Sequence, residues 1–341
     1  IGLEQIPMFN IDNGCAAGSS AVHLAINSLK AGNTDVAMAL GCEKMNIADK
    51  HKALSMMEAG WDVSRADQNY ETLMKMGEGV EIPPGSESEK MFSKFMSIYA
   101  AMCRFHMKTF GTTQRQIAAV SAKNHEHSTR NPYSQFRKSF SIEQILAAPP
   151  ITYPLTLPMC APLSDGAAAA ILCTEEGLKR IGADKSRAIK VAASVIRSFS
   201  NRRYDQPELH LGRLAANQAY EIAGLGPQDM HVAEVHDAAA MGEIIQAENL
   251  GFVPLGEGGP AAERGDFSLG GRIPINVSGG LESKGHPIGA TGIGQLYELV
   301  TQLRGEAGDR QVQGARHAIQ ENGGGMIGVE EAAVAVHILS R

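Results

Sequence analysis

The chain lacks several features that define whole classes of protein. Its 341 residues include five cysteines and no CxxC pair, so the sequence supports neither a disulfide framework nor a zinc ribbon. Basic residues number 31 against 37 acidic ones, and with a net charge of −6 we expect no nucleic-acid partner. Apolar stretches such as Val36–Leu40 are far shorter than the roughly 20 residues that span a bilayer. The first residues lack the pattern of a secretion signal, so we expect a soluble, cytoplasmic protein without a membrane span.

Short apolar segments alternate with segments of helical periodicity. The segments typical of buried strands are Val36–Leu40, Ala168–Cys173, Ile189–Val195, Val232–His236 and Ala333–Ile338. Apolar residues recur at helical spacing in Ser20–Ala31, Leu211–Ile222, Gly242–Leu250 and Gly292–Leu303. This alternation predicts a layered α/β fold. The 37 glycines concentrate in the last third of the chain, where they allow the backbone to approach another backbone or a ligand closely.

Two stretches of the chain share one layout, which predicts an internal duplication. Cys15 lies three residues before a glycine at a predicted helix start, and so does His286. An acidic residue before a small-residue strand follows each of them, at Asp165 after 150 residues and at Glu330 after 44. The first half therefore contains an insertion of about 106 residues, which coincides with a methionine-rich region. Two such loops around a shared pseudo-two-fold axis would bring Cys15 and His286 together.

Cys15 and His286 are candidates for nucleophilic catalysis. A cysteine at a helix N-terminus feels the positive end of the helix dipole, and a nearby imidazole would stabilise its thiolate further. Cys15 is therefore a candidate nucleophile for acyl transfer, with His286 as its activating base. Backbone N–H groups of Gly323–Gly325 or of Cys15 itself could form the oxyanion hole. The alternative is that Cys15 is an inert cysteine buried in a turn of small residues.

Two further histidine-containing patterns are weaker signals. His236 ends a predicted strand at the edge where α/β proteins place their sites, and Asp237 could orient its ring or cap the following helix. His125-Glu126-His127 could suggest a metal, but alternating histidines without a third ligand are weak evidence. We interpret that motif as a polar loop or helix face and expect no metal site.

Longer motifs resemble the thiolase superfamily, most closely its sterol-carrier-type and archaeal branch. The matching stretches are Asn13–Gly18, Leu40–Met45 (LGCEKM), Lys123–Arg137 (KNHEHSTRNPYSQFR), Cys160–Leu172 (CAPLSDGAAAAIL), Glu234–Asp237 (EVHD), Asn276–Gly292 (NVSGGLESKGHPIGATG) and Gln320–Gly325. They cover nearly the whole chain, and the GHPxGATG stretch is highly specific. The resemblance implies two βαβαβαββ halves in α-β-α-β-α layers, an inserted loop domain over the acyl-CoA, and a homodimer.

The resemblance also implies domain boundaries. Residues 1–45 and 160–182 would form the N-terminal half, 46–159 the inserted loop domain, and 183–341 the C-terminal half. Family members have a strand–helix–strand unit ahead of the nucleophile, whereas fourteen residues precede Cys15 here. We therefore expect the sequence to be incomplete at its start, because a sheet without those strands would expose an unpaired edge.

Carried over by position, the family's roles fall on four residues. Cys15 matches the nucleophile that takes the acyl group, and His286 matches the histidine that activates it and helps to bind the thioester oxygen. His236 matches the histidine of the oxyanion site, and Gly323 the glycine whose N–H completes a second oxyanion hole beside the Cys15 amide. The family's second cysteine, an acid/base, is absent from both of its usual places. Glu321 could replace it, because burial can raise the pKa of a carboxyl group toward neutrality, or could be a solvated or capping glutamate.

The leading functional hypothesis is a 3-oxoacyl-CoA thiolase. It would cleave a 3-oxoacyl-CoA through an acyl-Cys15 intermediate in fatty-acid or steroid side-chain degradation, with coenzyme A as substrate and no bound cofactor. One alternative, also implied by the resemblance, is a retro-aldolase that acts on a 3-hydroxyacyl-CoA with a small OB-fold, zinc-ribbon partner protein. A non-enzymatic lipid carrier is a third.

The methionine-rich insertion bears on both substrate and coenzyme A. Methionine repacks around irregular shapes, so the insertion would suit a bulky acyl group or simply fill a core. Basic residues of the insertion, such as Lys123, Arg130 and Arg137, are expected to contact coenzyme A.

Overall fold

A computed structural model describes residues 4–341. Its helices are α1 (Ala17–Lys30), α2 (Lys50–Met56), α3 (Ala66–Met76), α4 (Lys94–Phe110), α5 (Gln114–Ser128), α6 (Ile142–Leu146), α7 (Glu175–Arg180), α8 (Leu211–Ala223), α9 (Ala240–Asn249), α10 (Gly258–Arg264) and α11 (Thr291–Arg304). Its strands are β1 (Val36–Lys44), β2 (Pro150–Thr152), β3 (Leu155–Thr156), β4 (Asp165–Cys173), β5 (Lys190–Ser198), β6 (Val232–Glu234), β7 (His317–Gly324) and β8 (Ala333–Ser340). Every strand and helix predicted from periodicity is present, which confirms the α/β class.

The C-terminal part contains a four-stranded sheet in the order β5-β8-β7-β6. Strands β6 and β7 are parallel, and the other neighbours are antiparallel. Side chains of β8 alternate between two cores: Val336 and Ile338 pack with α8, while Leu339 packs in the core that contains α11. Because helices cover both faces, β7 and β8 are buried along nearly their whole length. β8 accordingly reads as a nearly continuous run of small and apolar residues, whereas β7 carries the buried polar residues Gln320, Glu321 and Asn322.

The N-terminal part contains an antiparallel pair, β1 and β4, whose register runs from Val36 opposite Cys173 to Lys44 opposite Asp165. Both strands contact α1 and α11. Ala39 faces inward and is 3% exposed, whereas Ile171 on the other face is 60% exposed. Burial therefore alternates along these strands, as it does in a sheet covered on one side.

The segment between β1 and β4 holds α2–α6 and the short hairpin of β2 and β3. Helix α5 begins with a capping box, in which Thr113 and Gln116 satisfy each other's backbone N–H groups. It packs against α9 and α10 of the C-terminal part. The predicted boundaries of a loop domain at residues 46–159 remain a prediction. Within residues 4–341, no helix has both the length and the apolar content needed to cross a bilayer.

Candidate active site

Cys15 lies in the turn that leads into α1, against the end of β7. A Cβ atom on Gly324 would lie 2.2 Å from the backbone nitrogen of Ala16, so only glycine permits this close approach. The tertiary fold thus holds the cysteine loop of the N-terminal part directly on a strand of the C-terminal part.

His286 is the partner of Cys15, as the duplication predicted. Its Nε2 lies 3.2 Å from Cys15 Sγ, although 271 residues separate the two in sequence. On the other side of the ring, Nδ1 lies 2.7 Å from the hydroxyl of Thr291, which donates its own proton to the carbonyl of Pro287 at 3.1 Å. The hydroxyl therefore accepts the Nδ1 proton, and the Nε2 lone pair faces the thiol. This is the tautomer that a general base for Cys15 requires.

His236 completes a cluster around the sulfur. Its ring centroid lies 5.2 Å from that of His286. The sulfur and one nitrogen from each histidine all lie within 4.8 Å of one another, and a soft divalent cation could use these donors. Both ring nitrogens of His236 are buried without a hydrogen-bond partner. An unpartnered buried imidazole is costly, so the site is built for a ligand atom that hydrogen-bonds to it.

The protonation states correct one expectation. We expected the helix dipole and the imidazole to stabilise a thiolate. Burial instead removes water from the thiolate and so raises the pKa of Cys15 to about 12. Burial lowers the pKa of His286 well below its ordinary value, and the charges of His236 and Lys284 lower it further. Burial also lowers the pKa of His236 to about 4. At neutral pH the site is thus a neutral thiol beside two neutral imidazoles.

Glu321 lies beneath this cluster. The backbone N–H of His236 donates to Glu321 Oε2 at 3.0 Å, and the other carboxylate oxygen has no partner. Burial raises the pKa of Glu321 well above its ordinary value, and the charge of Glu331 raises it further. Glu321 is fully buried, so it is not a solvated glutamate. It is also not one of the residues that line the cavity.

Gly323 lies in β7 opposite Val334. A Cβ atom on Gly323 would lie 2.7 Å from Glu331 Cγ, so the Glu331 side chain occupies the space beside this glycine. The next two glycines, Gly324 and Gly325, line the cavity. The oxyanion role of Gly323 remains a prediction.

A cavity of about 350 Å³ contains Cys15, His236 and His286 in its wall. Its apolar wall includes six methionines, four of them from the inserted region, namely Met45, Met56, Met57, Met96, Met102 and Met326. The sequence pattern missed its polar patch, formed by His210, Gln246 and Glu331. These residues come from three distant segments, and each is unremarkable in its local sequence.

Two of the sequence interpretations are wrong in detail. Asp237 neither caps α9 nor bonds to the ring of His236, because its oxygens accept from the backbone of Leu281 and from Asn124. His125 and His127 lie on helix α5, but both are buried and bond to backbone groups.

Lys123 is not available to a coenzyme phosphate. Its ammonium group is buried and lies 2.8 Å from a carboxylate oxygen of Glu243. Arg130 pairs with Glu126 one helical turn earlier on a more exposed surface, and Arg137 is exposed.

Comparison with known families agrees with this geometry. Residues 1–144 match the family described as "Thiolase, N-terminal domain", and residues 197–341 match the one described as "Thiolase C-terminal domain-like". The chain belongs to the thiolase family, within the branch that its motifs predicted.

Several relatives support that placement. The chain is 39% identical to an acetyl-CoA acetyltransferase of Methanothermobacter thermautotrophicus, an alignment that covers 100% of this chain and 82% of that protein. It is 37% identical to sterol carrier protein 2 of Rattus norvegicus, covering 98% of this chain and 58% of the rat protein. Benzoylsuccinyl-CoA thiolase subunit BbsB of Thauera aromatica is 34% identical, and the alignment covers 91% of this chain and 74% of that subunit.

Solved structures show the same fold. The Ltp2-ChsH2(DUF35) aldolase superposes with a TM-score of 0.71 at 18% identity, covering 96% of this chain and 78% of that one. Human mitochondrial 3-ketoacyl-CoA thiolase superposes with a TM-score of 0.63 at 15% identity, covering 97% and 77%.

Proposed function

We propose that the protein is an acyl-CoA C-acyltransferase that cleaves a 3-oxoacyl-CoA with coenzyme A. The observation that carries this proposal is the contact of 3.2 Å between Cys15 Sγ and a His286 Nε2 whose lone pair faces the sulfur. The pair lies in the wall of a cavity large enough to take an acyl group. A thiol beside a general base is the arrangement that nucleophilic acyl transfer needs.

In the proposed reaction, His286 takes the Cys15 proton as the sulfur attacks the 3-oxo carbon. The bond between the α- and β-carbons breaks, a second acid/base protonates the resulting enolate carbon, acetyl-CoA leaves, and the acyl group stays on Cys15. The same acid/base then takes the proton of the coenzyme A thiol as its sulfur attacks this thioester, and Cys15 recovers its own proton from His286. Because both groups start neutral, proton transfer accompanies the attack rather than preceding it.

The oxyanion of each tetrahedral intermediate needs donors in a water-poor site. His236 fits this role, because it is neutral, buried and free of any hydrogen-bond partner at either ring nitrogen. The amides of Cys15 and Gly323 are the proposed donors of the second hole, by family position.

The methionine-lined cavity favours an irregular or bulky acyl group, since methionine adapts to such shapes. We propose fatty-acid or steroid side-chain degradation as the pathway, the cytoplasm as the location and a homodimer as the assembly. The names of the sterol carrier and benzoylsuccinyl-CoA relatives are compatible with substrates of that kind.

A second candidate is retro-aldol cleavage of a 3-hydroxyacyl-CoA, assisted by a small OB-fold, zinc-ribbon partner. It is favoured by the residues at the family's second-cysteine positions, which are Ala238 and Glu321 here. It is disfavoured by the intact Cys15–His286 contact, which a retro-aldol reaction does not use.

Intact mass spectrometry distinguishes the two. The protein is mixed with acetoacetyl-CoA and longer 3-oxoacyl-CoAs without free coenzyme A, beside the variants Cys15→Ala and Cys42→Ala. Cys42 is an exposed cysteine and serves as the matched control. We expect an acyl adduct in the wild type and in Cys42→Ala but not in Cys15→Ala. No adduct on any substrate, together with cleavage of 3-hydroxyacyl-CoA in the presence of an OB-fold partner, would establish the aldolase instead.

A further inference from the structure

Glu331 is the acidic side chain of the cavity's polar patch. It precedes β8 and forms part of the same cavity wall as Cys15. Its Cγ occupies the space beside Gly323, the proposed oxyanion glycine, where a Cβ atom on that residue would lie 2.7 Å away. Glu331 thus lies close to the residues proposed to bind the acyl group. The sequence motifs had pointed only to Glu321 as a candidate acid/base.

The surroundings of Glu331 leave one oxygen available. Gln246 Nε2 donates to Glu331 Oε1 at 3.4 Å. His210 Nε2 lies 3.6 Å from Oε2, too far for a good hydrogen bond, and Oε2 is buried without a partner. A buried carboxylate oxygen with no donor is costly unless a bound molecule supplies one. The donors that the proposed reaction brings here are the coenzyme A thiol and the carbon acid of acetyl-CoA.

Glu321 differs from Glu331 in both contact and charge. Its carboxyl bonds to the backbone of His236 and does not reach the cavity wall. An ionised Glu331 would raise the pKa of Glu321 beyond the effect of burial. Of the two carboxyl groups, only that of Glu331 belongs to a residue in the cavity wall, where it can exchange a proton with a bound substrate.

We propose, on the basis of the acyltransferase function proposed above, that Glu331 is the second acid/base of the reaction. It takes the place of the acid/base cysteine that the chain lacks. Gln246 is a positioning residue, because its side-chain amide donates to the Glu331 carboxylate.

The protons balance over one turnover, which begins with the Glu331 carboxyl protonated. His286 takes the Cys15 proton, the bond between the α- and β-carbons breaks, and the resulting enolate carbon takes a proton from the Glu331 carboxyl to give acetyl-CoA. The Glu331 carboxylate then takes the proton of the coenzyme A thiol, whose sulfur attacks the acyl-Cys15 thioester. The C–Sγ bond breaks and His286 returns the first proton to Cys15. The net change moves the thiol proton of coenzyme A onto the acetyl methyl group.

Exchange of the methyl protons of acetyl-CoA with D₂O tests the assignment, because this exchange needs the second acid/base and no carbon–carbon bond change. The variants are Glu331→Gln, Glu331→Asp and Glu321→Gln, each checked by thermal unfolding. We expect Glu331→Gln to exchange about 100-fold more slowly than the wild type, in line with the loss of one general acid–base group. Glu331→Asp should fall between the two, and Glu321→Gln should slow the exchange less than Glu331→Gln does.

The acyl adduct on Cys15 separates this proposal from the one on which it rests. Wild type without an adduct overturns the acyltransferase. An adduct of full stoichiometry in Glu331→Gln, with exchange as fast as in the wild type, overturns only the role of Glu331. Loss of exchange in Glu321→Gln alone assigns the role to Glu321 instead. If Glu331→Gln does not fold, Glu331→Asp decides: slowed exchange with a full adduct supports the proposal, and unchanged exchange overturns it.

Discussion

The two halves of the molecule supply the site unequally. The C-terminal sheet has four strands with helices on both faces, and Ile338 at its centre is fully buried. The described N-terminal pair, β1 and β4, is covered on one face only, and Ile171 on the other face is largely exposed. Yet the exposed pair belongs to the half that carries Cys15, while the covered sheet carries Glu321 and the glycines of β7, and His236 follows its strand β6. The Cys15 sulfur thus comes from one half and these surrounding residues from the other.

This difference shows that precision at the site comes from the covered sheet. Cys15 is held because its loop closes on Gly324 of β7, a contact too close for any side chain on that residue. The covered sheet therefore positions Cys15, which belongs to the other half.

The largest effect should come from replacing Cys15 and His286, the two residues proposed to react. Cys15→Ala, from the N-terminal half, should abolish the acyl adduct because no nucleophile remains. His286→Asn, from the C-terminal half, should leave a slow adduct, with the rate lower by about 10²–10⁴-fold as for loss of a general base. Intact mass spectrometry of samples quenched at successive times measures the rate of adduct formation in both variants. Equal and complete loss in the two variants would contradict the division into nucleophile and base.

Truncating one isoleucine in each sheet should separate the halves in stability. Ile338→Ala leaves a cavity between packed layers and should cost about 2–5 kcal/mol in the free energy of unfolding. Ile171→Ala removes a largely exposed side chain and should change it by less than about 0.5 kcal/mol. Denaturant titration of both variants gives the comparison. A similar cost at both positions would mean that the second face of β1 and β4 is covered in solution.

The pH dependence of Cys15 alkylation tests whether Cys15 and His286 form a neutral thiol–imidazole pair. With the pKa of Cys15 raised to about 12, its thiolate fraction rises about tenfold per pH unit across pH 7–9. His286 is uncharged over that range, because its pKa is lowered, and it cannot hold a standing thiolate. Iodoacetamide labelling of Cys15 should therefore speed up with pH to the same degree. A rate independent of pH would indicate a thiolate–imidazolium pair.

The smallest effect should come from the ion pair that links the end of β1 to the start of β4. Lys44 contacts Asp165 there, on an exposed surface where solvent screens the attraction. Lys44→Ala should leave the midpoint of denaturation unchanged within error, as measured by circular dichroism in urea at two salt concentrations. A clear, salt-dependent loss would show that this thin sheet depends on surface charge more than the covered one does.

Much of this protein was predictable because its periodicity is strong and its motifs are long. Apolar runs of strand length identified β5, β6 and β8, and the helical spacing identified α8, α9 and α11. The motif around His286 and the turn around Cys15 identified the family and the reacting pair. What failed were side-chain environments: the thiolate expected at Cys15, the capping role of Asp237 and the availability of Lys123.

The order of elements, the family and the pairing of Cys15 with His286 could be predicted from the sequence alone, because each is marked by a local pattern. The protonation states depend on the tertiary structure, since the burial that raises the pKa of Cys15 comes from every neighbouring segment. The tertiary structure alone brought His210, Gln246 and Glu331 to one wall of the cavity. No local signal marks such residues, because a carboxylate becomes part of a site through what surrounds it in space.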